Sequence, residues 1–146
     1  MTAVHLTRTY PAPPARVYRA WLDTDLLAQW MRPNRVPLTK ADIDPRPGGR
    51  FTIHDADNSG FEATFVELDE PSKLVLQWAF VGPDRDKGGV EDSLLTITFE
   101  PAPDDATLLT LHHERLDSLA ATLPHVAAQV QNGWSIALDN LAEVSL

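Results

Sequence analysis

Between Pro37 and Glu114 the chain reads as six short runs of alternating or continuous apolar residues, PLTKADID, GRFTIHD, GFEATFVELD, KLVLQWAF, DSLLTITFE and ATLLTLHHE. The segments between them, PRPG, ADNSG, EPS, VGPDRDKGG and PAPDD, are rich in turn-forming residues. Period-two alternation bounded by Gly, Pro, Asn and Asp marks strands. Connections this short join antiparallel neighbours, because a parallel crossover needs roughly a dozen residues or more. An earlier run, VHLTRTY (Val4 to Tyr10), alternates in the same way. The chain therefore commits to an antiparallel meander of six or seven strands, and its apolar face has to be covered.

Little is available to cover it. PAPPARVYRAWL begins a short helix, since proline fits the first helical turn and Val17, Tyr18, Trp21 and Leu22 recur at helical spacing. DTDLLAQWM follows as a second short helix, with Asp23 or Thr24 as its cap, and Pro33 ends the helical region. Helical spacing returns from Leu116 to Leu146, where Leu119, Leu123, Val126, Ala127, Val130, Trp134, Ala137, Leu138 and Leu141 line one side. Pro124 implies either a short helix DSLAAT ahead of the main one or a main helix starting near Thr122. The last helix is thus expected to lie across a twisted sheet that wraps around it. The longest connection, residues 81–90, is expected to be the most mobile segment.

Composition limits the function classes. The 146 residues fit a single domain, with 43% hydrophobic and 23% charged residues, an ordinary globular balance. A formal net charge of −9 repels phosphate backbones and anionic membrane surfaces, so neither nucleic acid nor a membrane is an expected partner. No cysteine is present, which removes disulfides, thiolate metal sites and cysteine nucleophiles and is compatible with the cytoplasm, the expected location. The N-terminus lacks a basic start followed by an apolar run, and no segment approaches the roughly 18 apolar residues of a membrane span. A soluble, unprocessed protein is expected.

Three motifs invite chemistry and resolve into structure. DPRPGGRF is not a phosphate loop, since a strand rather than a helix follows the glycines; Pro47 and Gly48 suit the central positions of a type II turn, flanked by Asp44 and Arg50 at the surface. DADNSG resembles the first half of a calcium loop, but the position of the bidentate acid falls on Val66, so a polar hairpin turn is expected. In LHHE, His112 and His113 point to opposite faces of a strand and cannot share one ion. His113 shares the apolar face of Leu109 and Leu111, whereas His112 faces solvent. No specific metal, no cofactor and no Ser-His-Asp elbow is expected.

The order of elements, together with RTYPAPPARVYRAWLDTDLLAQW, DPRPGGRF, ELDEPSKLVLQW, TLLTLHHERL and GWSIALDNL, resembles the family of activators of heat-shock protein 90 ATPase homologues. That family belongs to the START-related, helix-grip superfamily, which also includes polyketide cyclases and aromatase-like proteins. The resemblance covers nearly the whole chain. It implies an α+β helix-grip fold, a curved antiparallel sheet wrapped around the C-terminal helix with two short N-terminal helices, and a cavity between sheet and helix.

A small, largely apolar molecule is the expected occupant of that cavity, contacted by Trp30, Phe51, Trp78, Ile97, Leu111, His113, Val130, Trp134 and Leu138, with His113 as the polar contact. No catalytic residue is assigned. Two further functions stay open: a cyclase- or aromatase-like enzyme using His113 as acid or base on a polyketide-like substrate, and a module binding a chaperone or other protein. The eukaryotic proteins of this family carry an additional N-terminal domain that these 146 residues do not contain. Monomer and homodimer are both compatible with the sequence. Gly133, inside the last helical run, costs about 0.5–1 kcal/mol relative to alanine. Close approach to sheet or neighbouring helix, or to the cavity, is expected to be its reason.

Overall fold

The computed structural model describes residues 3–32, 37–57, 59–81, 93–122, 124 and 128–146. Seven strands form one antiparallel sheet: β1 (Ala3–Tyr10), β2 (Leu38–Ile43), β3 (Arg50–Asp55), β4 (Gly60–Asp69), β5 (Lys73–Val81), β6 (Ser93–Ala102) and β7 (Ala106–Glu114). Their spatial order is β1-β7-β6-β5-β4-β3-β2, so β2 to β7 is the meander expected from the alternation and β1 returns to pair with β7. Most of the 81–90 connection lies outside the described residues, as does Pro33.

The turns follow their residues. At PRPG, Gly48 takes φ +83°, and the Gly49 amide donates to the Arg46 carbonyl at 2.8 Å, the closing bond of a turn centred on Pro47 and Gly48. Asp44 and Arg46 pair at 2.7 Å beside it. DADNSG is the β3–β4 hairpin: Asp55 Oδ1 accepts from the amides of Asp57 and Ser59 at 2.8 and 3.0 Å. Gly60 is required there, since a Cβ would sit 1.9 Å from the Ile53 carbonyl oxygen. The β4–β5 register shifts between Phe65 and Glu67, a bulge that increases local twist and curvature.

The helices α1 (Pro14–Ala20) and α2 (Thr24–Trp30) follow β1, with Pro14 in the first turn of α1 and Asp23 capping α2 through the amides of Asp25 and Leu26. Trp21 and Trp30 meet edge to face at 4.7 Å, and Trp30 Nε1 donates to the Ala20 carbonyl at 3.0 Å, so two large side chains are buried with one polar group satisfied. DSLAAT forms the short helix α3 (Asp117–Thr122), and the main helix α4 begins at Val130 and ends at Leu141. Its buried residues, Val130, Trp134, Ala137, Leu138 and Leu141, are the expected stripe. The earlier members Leu123, Val126 and Ala127 lie outside the described residues, as does the side chain of Leu119.

Three bonds fasten α4 to β1. Arg8 reaches Asp139 through Nε at 3.0 Å and Ser135 through Nη2 at 2.9 Å. The buried Tyr10 hydroxyl donates to the Leu138 carbonyl at 2.7 Å. That carbonyl lies in the last turn of α4, where the Ala142 amide turns to Asp139 and Asn140 instead. Tyr10 therefore supplies a missing partner, and burial pushes its phenol pKa up. The core between helix and sheet includes Phe51, Phe65, Leu76, Leu95, Ile97, Phe99 and Leu111.

Candidate functional site

Strand pairing lines up Ile53, Phe61 and Phe80 as one cross-strand row over β3, β4 and β5. The adjacent row places Phe51 against Ala63 and Ala63 against Trp78. Where the first row faces the start of α4, sheet and helix leave a half-open pocket of about 360 Å³. Its wall is formed by Met31, Leu38, Ile53, Phe61, Trp78 and Phe80 on one side and by Val130, Gly133, Trp134 and Ala137 of α4 on the other. Asp55, Ser59, Gly60, Gln129 and Asn132 also line it. This is the size and composition of a small-molecule pocket, apolar with a few polar groups.

Of the residues expected to meet a ligand, Trp78, Val130 and Trp134 line the cavity. Trp30, Phe51, Ile97, Leu111 and Leu138 are fully buried in the packed core and are not among its lining. Phe51 stacks on Phe61 at 5.5 Å and meets Phe65 at 5.7 Å, so space at that point of the sheet is already filled. The lining residues not anticipated include Asp55, Ser59, Gly60 and Phe61 around the β3–β4 hairpin, Ile53 and Phe80 in the same row, and Asn132 on α4. Neither Ile53 nor Phe61 is singled out by alternation, since it is the strand register that joins them and Phe80 into one row.

His113 occupies the apolar face, as its strand position implied, but it stands behind the wall instead of in it. Trp134 Nε1 donates to His113 Nδ1 at 3.1 Å, and His113 Nε2 lies 3.2 Å from Ser93 Oγ. Ser93 gives its one hydroxyl hydrogen to the Trp78 carbonyl at 2.5 Å, so toward His113 it is an acceptor. The chain of bonds consequently runs one way, from Trp134 through His113 and Ser93 to Trp78, and fixes the neutral Nε2–H tautomer. Burial, with a smaller contribution from His112, lowers the His113 pKa to about 3. Both ring nitrogens are occupied and the ring is neutral near pH 7, which leaves no nitrogen to exchange a proton with a substrate.

His112 lies on the outer face, paired with Glu114 at 2.9 Å and edge to face with His5 at 5.8 Å. Among the described residues no group of three or more His, Cys, Asp or Glu side chains is placed to hold a metal ion. Nor is any helix among them long and apolar enough to cross a membrane.

A curved seven-stranded antiparallel sheet gripping a C-terminal helix defines a helix-grip protein. Residues 11–145 match the family described as activator of Hsp90 ATPase homolog 1-like protein, and the chain belongs to that family. Solved structures agree in fold. Protein CV1439 from Chromobacterium violaceum is 28% identical, with a TM-score of 0.77 over 99% of this chain and 97% of that one. An HSP90 activator from Plasmodium falciparum is 24% identical, with a TM-score of 0.72 over 97% of this chain and 94% of that one. DynU16, a protein of the dynemicin biosynthetic locus, is 20% identical, with a TM-score of 0.72 over 98% of this chain and 46% of that one. No curated protein matches the sequence.

Proposed function

We propose that this protein binds a small, largely apolar molecule in the cavity between β3–β5 and the start of α4. The observation that carries this is a pocket of about 360 Å³ lined by Phe61, Trp78, Phe80 and Trp134 together with aliphatic residues and a few polar groups. Apolar walls that stand open to water gain from being covered, and a ligand of matching shape supplies that burial. Three of the residues anticipated from the sequence, Trp78, Val130 and Trp134, are on its wall. Binding is favoured over catalysis by His113, because that residue, the acid-base candidate of the sequence, is engaged on both nitrogens. The absence of cysteine suits action in the cytoplasm.

The test is titration of the purified protein with aromatic and alicyclic compounds, following tryptophan emission and the melting temperature. A ligand that binds only the folded state stabilises it by about 2.7 kcal/mol at a hundredfold excess over Kd. Quenching and a raised Tm for some members of the panel are expected. No change in either signal across the panel would overturn the proposal and shift the case to a protein-binding role.

A further inference from the structure

We infer that the ligand of this pocket carries a carbonyl oxygen that accepts a hydrogen bond from the indole of Trp78. The inference rests on the proposal that the pocket binds a small apolar molecule and adds the polar group that molecule has to bring. Trp78 lines the pocket and is 6% exposed, and its Nε1 is shielded from solvent with no hydrogen-bond partner among the described residues. A buried donor left unpaired costs free energy, and such groups in folded proteins are nearly always satisfied. The other wall tryptophan differs, since Trp134 Nε1 gives its hydrogen to His113 Nδ1 at 3.1 Å. Trp21 Nε1 is also buried without a partner, but Trp21 does not line the pocket.

The rings around Trp78 hold no acceptor for it. Its ring centroid is 4.7 Å from that of His113, 5.6 Å from that of Phe61 and 6.5 Å from that of Trp134. Phe61 has no polar side-chain atom, and Trp134 has only a donor. The acceptor nitrogen of His113 is taken by Trp134, and its other nitrogen faces Ser93. The partner therefore has to come from the pocket that the indole borders, reached with the side-chain shifts that are common on binding. A carbonyl oxygen suits a donor set among rings, because it accepts and brings no hydrogen of its own. A hydroxyl would add one, and an ammonium group offers only donors. The exposed Gln129 and Asn132 and the half-buried Ser59 are within reach of water, so they make no such demand on the ligand.

Adamantanone and methyleneadamantane share one skeleton and differ only in an oxygen against a methylene group, so the ratio of their Kd values reads the acceptor. The alkene is the more apolar and binds the tighter of the two in a pocket without a donor. With the Trp78 bond the ketone is expected to bind about tenfold tighter, titrated through tryptophan emission. In proton–nitrogen correlation spectra the assigned Trp78 indole N–H should move downfield with the ketone and not with the alkene, while that of Trp21 stays in place. Trp78→Phe, which removes the donor and enlarges the pocket equally for both ligands, should reverse the preference. A ketone that binds no tighter than the alkene overturns the inference while the pocket proposal stands. So does a ketone preference that survives in Trp78→Phe, which would place the bond on another group. Should Trp78→Phe not fold, the Kd ratio and the Trp78 resonance of the natural protein decide the matter. Binders from the wider panel that include no carbonyl compound also overturn it. If neither ligand binds and the panel is silent as well, the pocket proposal falls and this inference falls with it.

Discussion

The indole of Trp134 on α4 donates to Nδ1 of His113 on β7 at 3.1 Å, so a wall of the cavity is held in place by a histidine that does not itself line it. The same histidine passes a bond to Ser93, whose hydroxyl reaches the carbonyl of Trp78, a second wall residue. Sheet and helix are thus joined at the cavity by a polar chain inside an apolar core. Such a chain is costly when broken, because each buried group at the break loses a partner.

Acid should weaken the fold through His113. Its folded pKa, about 3, lies below the ordinary histidine value of 6.5, so between those values the unfolded chain binds more protons. Its contribution to stability is present above pH 6.5 and is lost progressively as pH falls toward 3. Between pH 7 and pH 5 this amounts to about 2 kcal/mol. Urea unfolding of the natural protein and of His113→Gln at both pH values checks it, since other titrating groups are common to both. An equal pH slope in the two proteins would show that His113 does not carry the effect.

Ser93→Ala should cost about 1–3 kcal/mol despite removing one oxygen atom, because it leaves both His113 Nε2–H and the Trp78 carbonyl without this partner. The double variant with His113→Gln should be non-additive, with a coupling of about 0.5–3 kcal/mol. Additive losses in chemical denaturation would mean that the two residues act separately and that the chain of bonds has no collective worth.

Tyr10→Phe tests the fastening of α4 at its other end. The substitution keeps the ring and deprives the Leu138 carbonyl of the 2.7 Å bond that completes the last helical turn. A loss of about 1–3 kcal/mol is expected. Asp139→Asn, by contrast, touches a pair whose side chains are 28% and 67% exposed, and should cost less than about 1 kcal/mol. Reversal of that order in denaturation midpoints would place the grip in the surface ion pair.

The strands and helices were legible in the residues because their signals are local. All seven strands follow from alternation and turn chemistry, and the face of His113 follows from counting by two from Leu111. The position of the cavity along the sheet was not legible in the same way. Phe51 and Ile53 share an inward face, yet Phe51 is packed against Phe61 and Phe65 while Ile53 borders open space. That difference depends on which large side chains meet across strands far apart in sequence, and on α4 beginning at Val130. Alternation names the inward residues; register and helix placement decide which of them have nothing in front of them.

Gly133 gives the last prediction. It is the fourth residue of α4, its amide already bonded to the Gln129 carbonyl at 2.9 Å, and it lies on the cavity wall beside Trp134. Of the reasons a glycine might stand there, this placement favours keeping volume open for a ligand over close packing against the sheet. On that account an added methyl takes up pocket volume, and helix propensity makes the fold more stable by about 0.5–1 kcal/mol in Gly133→Ala. Ligand affinity should fall at the same time, because the methyl takes space the ligand would fill. Close packing predicts the opposite sign, a loss of about 1–3 kcal/mol from overpacking. One denaturation curve and one titration on the same variant therefore separate the two: higher stability with weaker binding supports the cavity, and lower stability shows that the helix needs glycine in order to lie close to its neighbours.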